Sequence, residues 1–206
     1  MKEYGWAFSL SMGVCALSYP LWMRINTMAG FNDVPNYRSS HQHVVPKIGG
    51  LLLLTAVSST VLLLSDLQTV DIYLAISFLV LVMSGVIDDL LQVPPVIKLL
   101  FQVVAAWFFS FYVRYDWLLN SPFPGWGQAF AFALMVVMLN AQNLIDGIDG
   151  LSASIGLFQA VALFFLLSGN PLLRLSLAGM AGALLVFLFF NFSRSGQKGV
   201  FRRAGR

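Results

Sequence analysis

Three polar clusters interrupt an otherwise apolar chain, and each carries groups that can act on phosphates. The first runs Phe31-Asn32-Asp33-Val34-Pro35-Asn36-Tyr37-Arg38-Ser39-Ser40-His41-Gln42-His43-Val44-Val45-Pro46-Lys47-Ile48-Gly49-Gly50. Two prolines stiffen it. Arg38 can grip a phosphate through two parallel hydrogen bonds, Lys47 meets one as a point charge, and the His residues add donors. A basic loop that only sets membrane orientation would read the same in isolation. The second cluster is Gly85-Val86-Ile87-Asp88-Asp89. Its adjacent carboxylates repel each other, and one Asp at mid-membrane costs about 2.5–3.5 kcal/mol. A nearby cation relieves both penalties, as does hydration where a helix ends. The third and most specific cluster is Asn140-Ala141-Gln142-Asn143-Leu144-Ile145-Asp146-Gly147-Ile148-Asp149-Gly150-Leu151. If one helix continues through it, Asn140, Asn143, Asp146 and Asp149 recur every three residues as a single polar stripe. Its glycines permit a sharp turn or close backbone approach.

Together the clusters supply carboxylates for a divalent cation and cations for phosphates. Hard oxygen ligands with a polyphosphate partner point to Mg²⁺, or Mn²⁺, ahead of a softer metal. His41-x-His43 without a cysteine or a third imidazole is a weak zinc signal.

The elements that must hold these groups are set by composition. Of 206 residues, 58% are hydrophobic and 10% charged, and mean hydropathy is +0.79. A soluble domain of this size could not hide that much apolar surface, so the bilayer is the solvent. By the ruler of about 20 helical residues per crossing, seven spans emerge. They are Tyr4 to Met23, Ile48 to Ser65, Ile72 to Ile87, Lys98 to Val113, Gln128 to Ile145, Leu151 to Ser168 and Leu175 to Phe192. The expected fold is therefore all-α, a polytopic integral-membrane helical bundle, with residues 1–192 as one membrane domain and 193–206 as a basic tail, disordered near anionic lipid if it has no further role. The first apolar run is long and lacks a small-x-small cleavage site, so it reads as an uncleaved span and not a signal peptide.

The basic residues choose the orientation. One set of loops holds Arg24, Arg38, Lys47, Lys98, Arg194, Lys198, Arg202, Arg203 and Arg206; the other holds Lys2, Arg114 and Arg174. The richer set is cytoplasmic by the positive-inside rule, with the N-terminus outside. All three clusters then share the cytoplasmic face. The net charge of +3 is spent on short membrane loops and the tail, which argues against a nucleic-acid partner. Cys15, the one cysteine, lies in an apolar run and allows no internal disulfide.

The ordered motifs resemble a known family. Asp-x-Pro-Asn-x-Arg-x-x-His-x-x-x-x-Pro-x-x-Gly-Gly comes first, then Gly-x-x-Asp-Asp with Pro95, Lys98 and Gln102, then Asn-x-x-Asn-x-x-Asp-Gly-x-Asp-Gly-Leu. This order is similar to that of the polyprenyl-phosphate N-acetylhexosamine-1-phosphate transferases, glycosyltransferase family 4, over about residues 20–192. The chain looks most like the bacterial undecaprenyl-phosphate GlcNAc-1-phosphate branch. The MurNAc-pentapeptide branch usually carries Gly-Thr-Pro-Thr-Met before its Gly-Gly, where Val45-Pro46-Lys47-Ile48 stands here. The resemblance implies a multi-pass enzyme of the bacterial inner membrane with a cytoplasmic active face. It would transfer GlcNAc-1-phosphate, or a related hexosamine phosphate, from a UDP-sugar to undecaprenyl phosphate with Mg²⁺, releasing UMP. It further implies that Asp88, Asp89, Asp146 and Asp149 are catalytic and that Asp88, Asp89 and Asp149 hold the metal. Asp88 and Asp89 would position metal and substrate or deprotonate the lipid phosphate. Asn143 would bind substrate, and Arg38, His41 and Lys47 would contact phosphates.

The chain departs from the family after Asn191. Members continue to Phe-x-Gly-Asp-x-Gly, with an Asp associated with the metal, and to a His-rich loop. Here Lys198-Gly199-Val200-Phe201-Arg202-Arg203-Ala204-Gly205-Arg206 follows, and no carboxylate occurs after Asp149. The expectation from this reading is a C-terminus truncated by a frameshift, checked by the DNA beyond Arg206. An inactive remnant that binds UDP-sugar or lipid phosphate without turnover is the alternative function. A transporter is disfavoured because the carboxylates cluster at span ends instead of mid-depth.

Overall fold

The computed structural model describes residues 1–29, 32–33, 45–46, 48–66, 70–91, 93–113, 126–145, 150–167 and 169–204, with side chains in the last helix described to Phe192. Seven helices occupy the seven expected positions: α1 Lys2–Ala29, α2 Gly49–Leu64, α3 Ile72–Leu91, α4 Pro95–Tyr112, α5 Trp126–Ile145, α6 Leu151–Leu166 and α7 Pro171–Ala204. The chain is thus an all-α membrane bundle, and the one sheet among the described residues is a two-residue pairing of β1 (Asn32–Asp33) with β2 (Val45–Pro46). Among the described residues, four helices are long and apolar enough to cross a bilayer by length and composition, the stretches 72–91, 95–112, 127–145 and 171–192. The apolar helices α2 and α6 have 16 residues each. At about 1.5 Å per residue they reach about 24 Å, and they would cross only with their ends snorkelling or the bilayer thinned.

Helix ends differ from the hydropathy boundaries, for local reasons. α1 continues past Met23 through Arg24, Asn26 and Thr27, because polar residues end an apolar run without ending a helix. α3 continues past Ile87 and carries Asp88 and Asp89 in its last turns. α4 begins at Pro95, three residues before the apolar signal, since proline in the first turn gives up an N–H that has no intrahelical partner. α7 does not stop at Phe192 but runs to Ala204, so the tail expected to be disordered is helical. Its Gln, Lys, Arg and Ala are sound helix formers and no proline intervenes.

The chain forms two compact units, with residues 70–145 inserted into a unit made of 1–69 and 146–206. In the larger unit α7 packs on α1, α2 and α6. Its core gathers Cys15, Ile48, Leu52, Ala56 and Ala183, flanked by Trp22, Val186 and Phe187. Small residues let the backbones approach: a Cβ on Gly182 would collide with the Phe8 carbonyl of α1, and one on Gly179 would lie 3.3 Å from Thr60 of α2. The Ala178-x-x-x-Gly182 stripe is therefore used inside the chain. Trp22 Nε1 donates to Thr55 Oγ1 at 3.2 Å, and Tyr19 stacks on Phe190 with centroids 4.0 Å apart. At the other end of α1, the Arg174 guanidinium lies 4.6 Å from the ring centroids of both Tyr4 and Phe164. In the smaller unit α4 lies between α3 and α5. Ser77 Oγ of α3 donates to the Ala105 carbonyl at 2.9 Å, where buried Ala105 and Ala106 allow close packing.

Candidate functional site

Among the sequence-predicted site residues, Asp88, Asp89 and Asn143 fall within the described residues. Arg38, His41, Lys47, Asp146 and Asp149 lie outside them.

The paired aspartates sit at the tip of the α3–α4 hairpin. Pro94 and Pro95 restart the chain as α4, placing Lys98 in its first turn. Lys98 Nζ lies 2.7 Å from Asp88 Oδ2, with the two side chains 36% and 28% exposed. Both charges oppose their own helix dipoles, an acid near the C-terminus of α3 and a base near the N-terminus of α4. Placed alone, each would destabilise its helix; paired, they offset one another. Asp89 is exposed and, as the next helical residue, points about 100° away from Asp88. The two carboxylates therefore point to different sides of α3, and Lys98 holds Asp88. One turn beyond Lys98, Gln102 is buried and its Oε1 has no hydrogen-bond partner among the described residues. Sequence reading had Lys98 and Gln102 only as motif companions; their four-residue spacing on one face of α4 was the available signal.

The Asn-rich motif is divided. Asn140 Nδ2 donates to the Val136 carbonyl at 2.8 Å, so that amide is used within α5. Asn143, three residues on, is exposed. α5 is described to Ile145 and α6 begins at Leu151; Asn140 and Asn143 share a face of α5, and Asp146 and Asp149, the rest of the expected stripe, lie outside the described residues. The exit is Gly150, whose φ of +75° favours glycine. Ser154 then bonds back one turn, its backbone N–H and its Oγ both donating to the Gly150 carbonyl at 2.9 and 2.7 Å, and no side chain caps the start of α6. Gly150 is buried beneath α7: an added Cβ would lie 2.7 Å from Phe192 Cζ and 3.5 Å from Asn191 Nδ2.

The loop carrying Arg38 and His41 is closed at its base by antiparallel pairing of Asn32 with Pro46 and Asp33 with Val45. Nothing in the residue pattern announced this pairing. Beyond it Ile48 is buried at 5% exposure, and Gly49 starts α2 where a Cβ would stand 2.8 Å from Phe187 Cε2, so the ring would have to shift to admit one. No group of three or more His, Cys, Asp or Glu gathers among the described residues.

The family model described as glycosyl transferase family 4 matches residues 71–201, a span holding the paired aspartates, Lys98 and the Asn-rich motif. The chain belongs to glycosyl transferase family 4. This family 4 chain is 33% identical to the probable undecaprenyl-phosphate N-acetylglucosaminyl 1-phosphate transferase of Bacillus subtilis, the match covering 90% of the chain and 55% of that protein. It is 29% identical to the phospho-N-acetylmuramoyl-pentapeptide-transferase of Campylobacter lari, over 78% of the chain and 56% of that protein. It is 27% identical to the undecaprenyl-phosphate alpha-N-acetylglucosaminyl 1-phosphate transferase of Yersinia pestis, over 82% and 49%. The family 4 chain spans about half the length of the curated relatives it matches. No solved structure matches it.

Proposed function

We propose that this chain carries the machinery for transferring N-acetylglucosamine 1-phosphate from UDP-GlcNAc to undecaprenyl phosphate. A lipid-phosphate oxygen attacks the sugar-bearing phosphorus, the bond to the UMP oxygen breaks, and a lipid-linked diphosphate sugar and UMP result. Nucleophile and electrophile are both anionic, so the work is positioning and charge neutralisation.

The observation that carries this reading is the family match across residues 71–201, together with the likeness to the Bacillus relative over nine-tenths of the chain. The α3–α4 hairpin supports a division of labour. Lys98 holds Asp88 in place, and Asp89 faces substrate. Asn143 binds the donor, and Arg38, His41 and Lys47 contact phosphates.

The donor chemistry suits Mg²⁺ or Mn²⁺, because carboxylate oxygens are the ligands such ions select. By the family resemblance Asp88, Asp89 and Asp149 would hold it, and Asp146 would be catalytic. When bound, the ion would neutralise charge on the diphosphate. The site would face the cytoplasm, with the N-terminus outside, in the inner membrane of a bacterium.

The test is UMP release by the purified chain in nanodiscs, supplied with UDP-GlcNAc and undecaprenyl phosphate. Mg²⁺-dependent UMP in step with a lipid-linked sugar is expected, with loss on chelation. UDP-GlcNAc binding without turnover would sink the reading.

A further inference from the structure

The two glycines that end the candidate reactive segments rest on aromatic rings from the same helix. Gly49 follows the loop of Arg38, His41 and Lys47, and the Phe187 ring occupies the space of its missing Cβ, at 2.8 Å from Cε2 and 3.1 Å from Cζ. Gly150 follows Asp149, and the Phe192 ring occupies the corresponding space, at 2.7 Å from Cζ and 2.8 Å from Cε1. Five helical steps separate the two phenylalanines, which turns their rings about 140° apart and sets them about 7.5 Å apart along the axis. One helix can therefore address α2 with one ring and α6 with the other. Both glycines sit at the start of a helix, Gly49 as the first residue of α2 and Gly150 as the N-cap of α6. Glycine has the widest backbone freedom of any residue, so an unsupported glycine at each exit would leave the preceding segment without a fixed end. The Cα of Asp149 is one bonded step, about 3.8 Å, from that of Gly150. Lys47 is joined to Gly49 through buried Ile48.

We propose that Phe187 and Phe192 are positioning residues, through which α7 sets the starts of α2 and α6, the helices that follow the Arg38–Lys47 stretch and Asp146–Asp149 in sequence. This rests on the transferase reading for its consequence in catalysis. The contacts themselves do not depend on it, and the experiment separates the two. Phe189 serves as a control, exposed on the same helix as Phe192 is, at 68% and 52%, but not among the atoms nearest Gly49 or Gly150.

The experiment is hydrogen–deuterium exchange on the whole chain in nanodiscs, alongside UMP-release kinetics. In Phe192→Ala, the Ser154 amide, which donates to the Gly150 carbonyl, exchanges faster by about tenfold while the Leu52 amide, which donates to the Ile48 carbonyl, holds; Phe187→Ala gives the reverse; Phe189→Ala changes neither. In turnover, Phe192→Ala lowers kcat by about tenfold or more with KM little changed, and Phe187→Ala raises KM for a phosphate substrate. Phe192→Met, which refills the space, restores most of the kcat and covers the case in which the alanine variant misfolds. Gly49→Ala is impaired, and adding Phe187→Leu restores it, as a direct contact requires. Unaltered exchange in both phenylalanine variants, or no rescue of Gly49→Ala, overturns the proposal. A wild-type chain inert in turnover whose exchange still responds locally would refute the transferase reading and leave the positioning role standing.

Discussion

Lys98 Nζ meets Asp88 Oδ2 at 2.7 Å across the α3–α4 hairpin, each charge standing at the helix end its own dipole disfavours. A partly exposed pair of this kind contributes about 1 kcal/mol or less to stability. Folding therefore gives little reason for the arrangement, whereas holding one carboxylate of an adjacent pair does. Lys98→Met should lower kcat/KM by about ten- to a hundredfold while shifting unfolding by no more than about 1 kcal/mol. Exchanging the charges, Asp88→Lys with Lys98→Asp, should recover the melting temperature in detergent but not UMP release. Recovery of activity by the exchanged pair would mean that the pair is only a brace.

The two aspartates should not respond alike to metal. Asp88→Asn and Asp89→Asn are each expected to reduce turnover by about a hundredfold or more. Asp89→Asn should move the Mg²⁺ concentration for half-maximal activity further, because Asp88 keeps one oxygen on Lys98. Metal titrations of the two variants side by side decide this, and equal shifts would remove the division of labour.

Asn140 and Asn143 share a face of α5 but differ in what their amides do. Asn140 donates to its own helix at Val136, and Asn143 is exposed. Asn140→Ala should keep activity within about threefold, whereas Asn143→Ala should weaken UDP-GlcNAc binding by about tenfold, a loss of about 1.4 kcal/mol. Isothermal titration with the nucleotide sugar reads both.

Glycines on one bundle should separate into two classes. A Cβ at Gly182 runs into the Phe8 carbonyl, while one at Gly13 meets nothing within 4 Å. Gly182→Val should destabilise by about 1–3 kcal/mol, and Gly13→Ala should stabilise by about 0.5–1 kcal/mol. Thermal unfolding in detergent checks the pair.

Orientation can be read with impermeant thiol reagents. Cys15 is fully buried against Ala183, so the native thiol should give little background. Glu3→Cys and Asp66→Cys should label from outside intact cells, and Thr27→Cys only after permeabilisation. Labelling of Thr27→Cys in intact cells would invert the topology and deny the site its nucleotide donor.

Helix number and position were legible because each span is an apolar run that nothing else explains. The ends were not, since hydropathy reports where polar side chains begin and not where hydrogen bonding stops. Asp88 and Asp89 ended the apolar signal of α3, but only the prolines at 94 and 95 ended the helix. The candidate site was legible as residue types in order. Its internal pairings were not: the Lys98–Asp88 contact depends on hairpin register, and the Asn32–Pro46 pairing on two residues with no strand pattern. Gly49 and Gly150 could be read as places of close approach, but which ring approaches is a property of helices far apart in the chain.

Gly182 on the last helix lies against Phe8 on the first, a separation of 182 − 8 = 174 residues. At about 5–20 residues per second of synthesis, the first helix waits about 9–35 s in the bilayer before its partner is made. During that interval the sides of Ser11 and Cys15 that α7 covers in the finished bundle are without that cover. Ribosome speed thus sets how long this protein remains half-built.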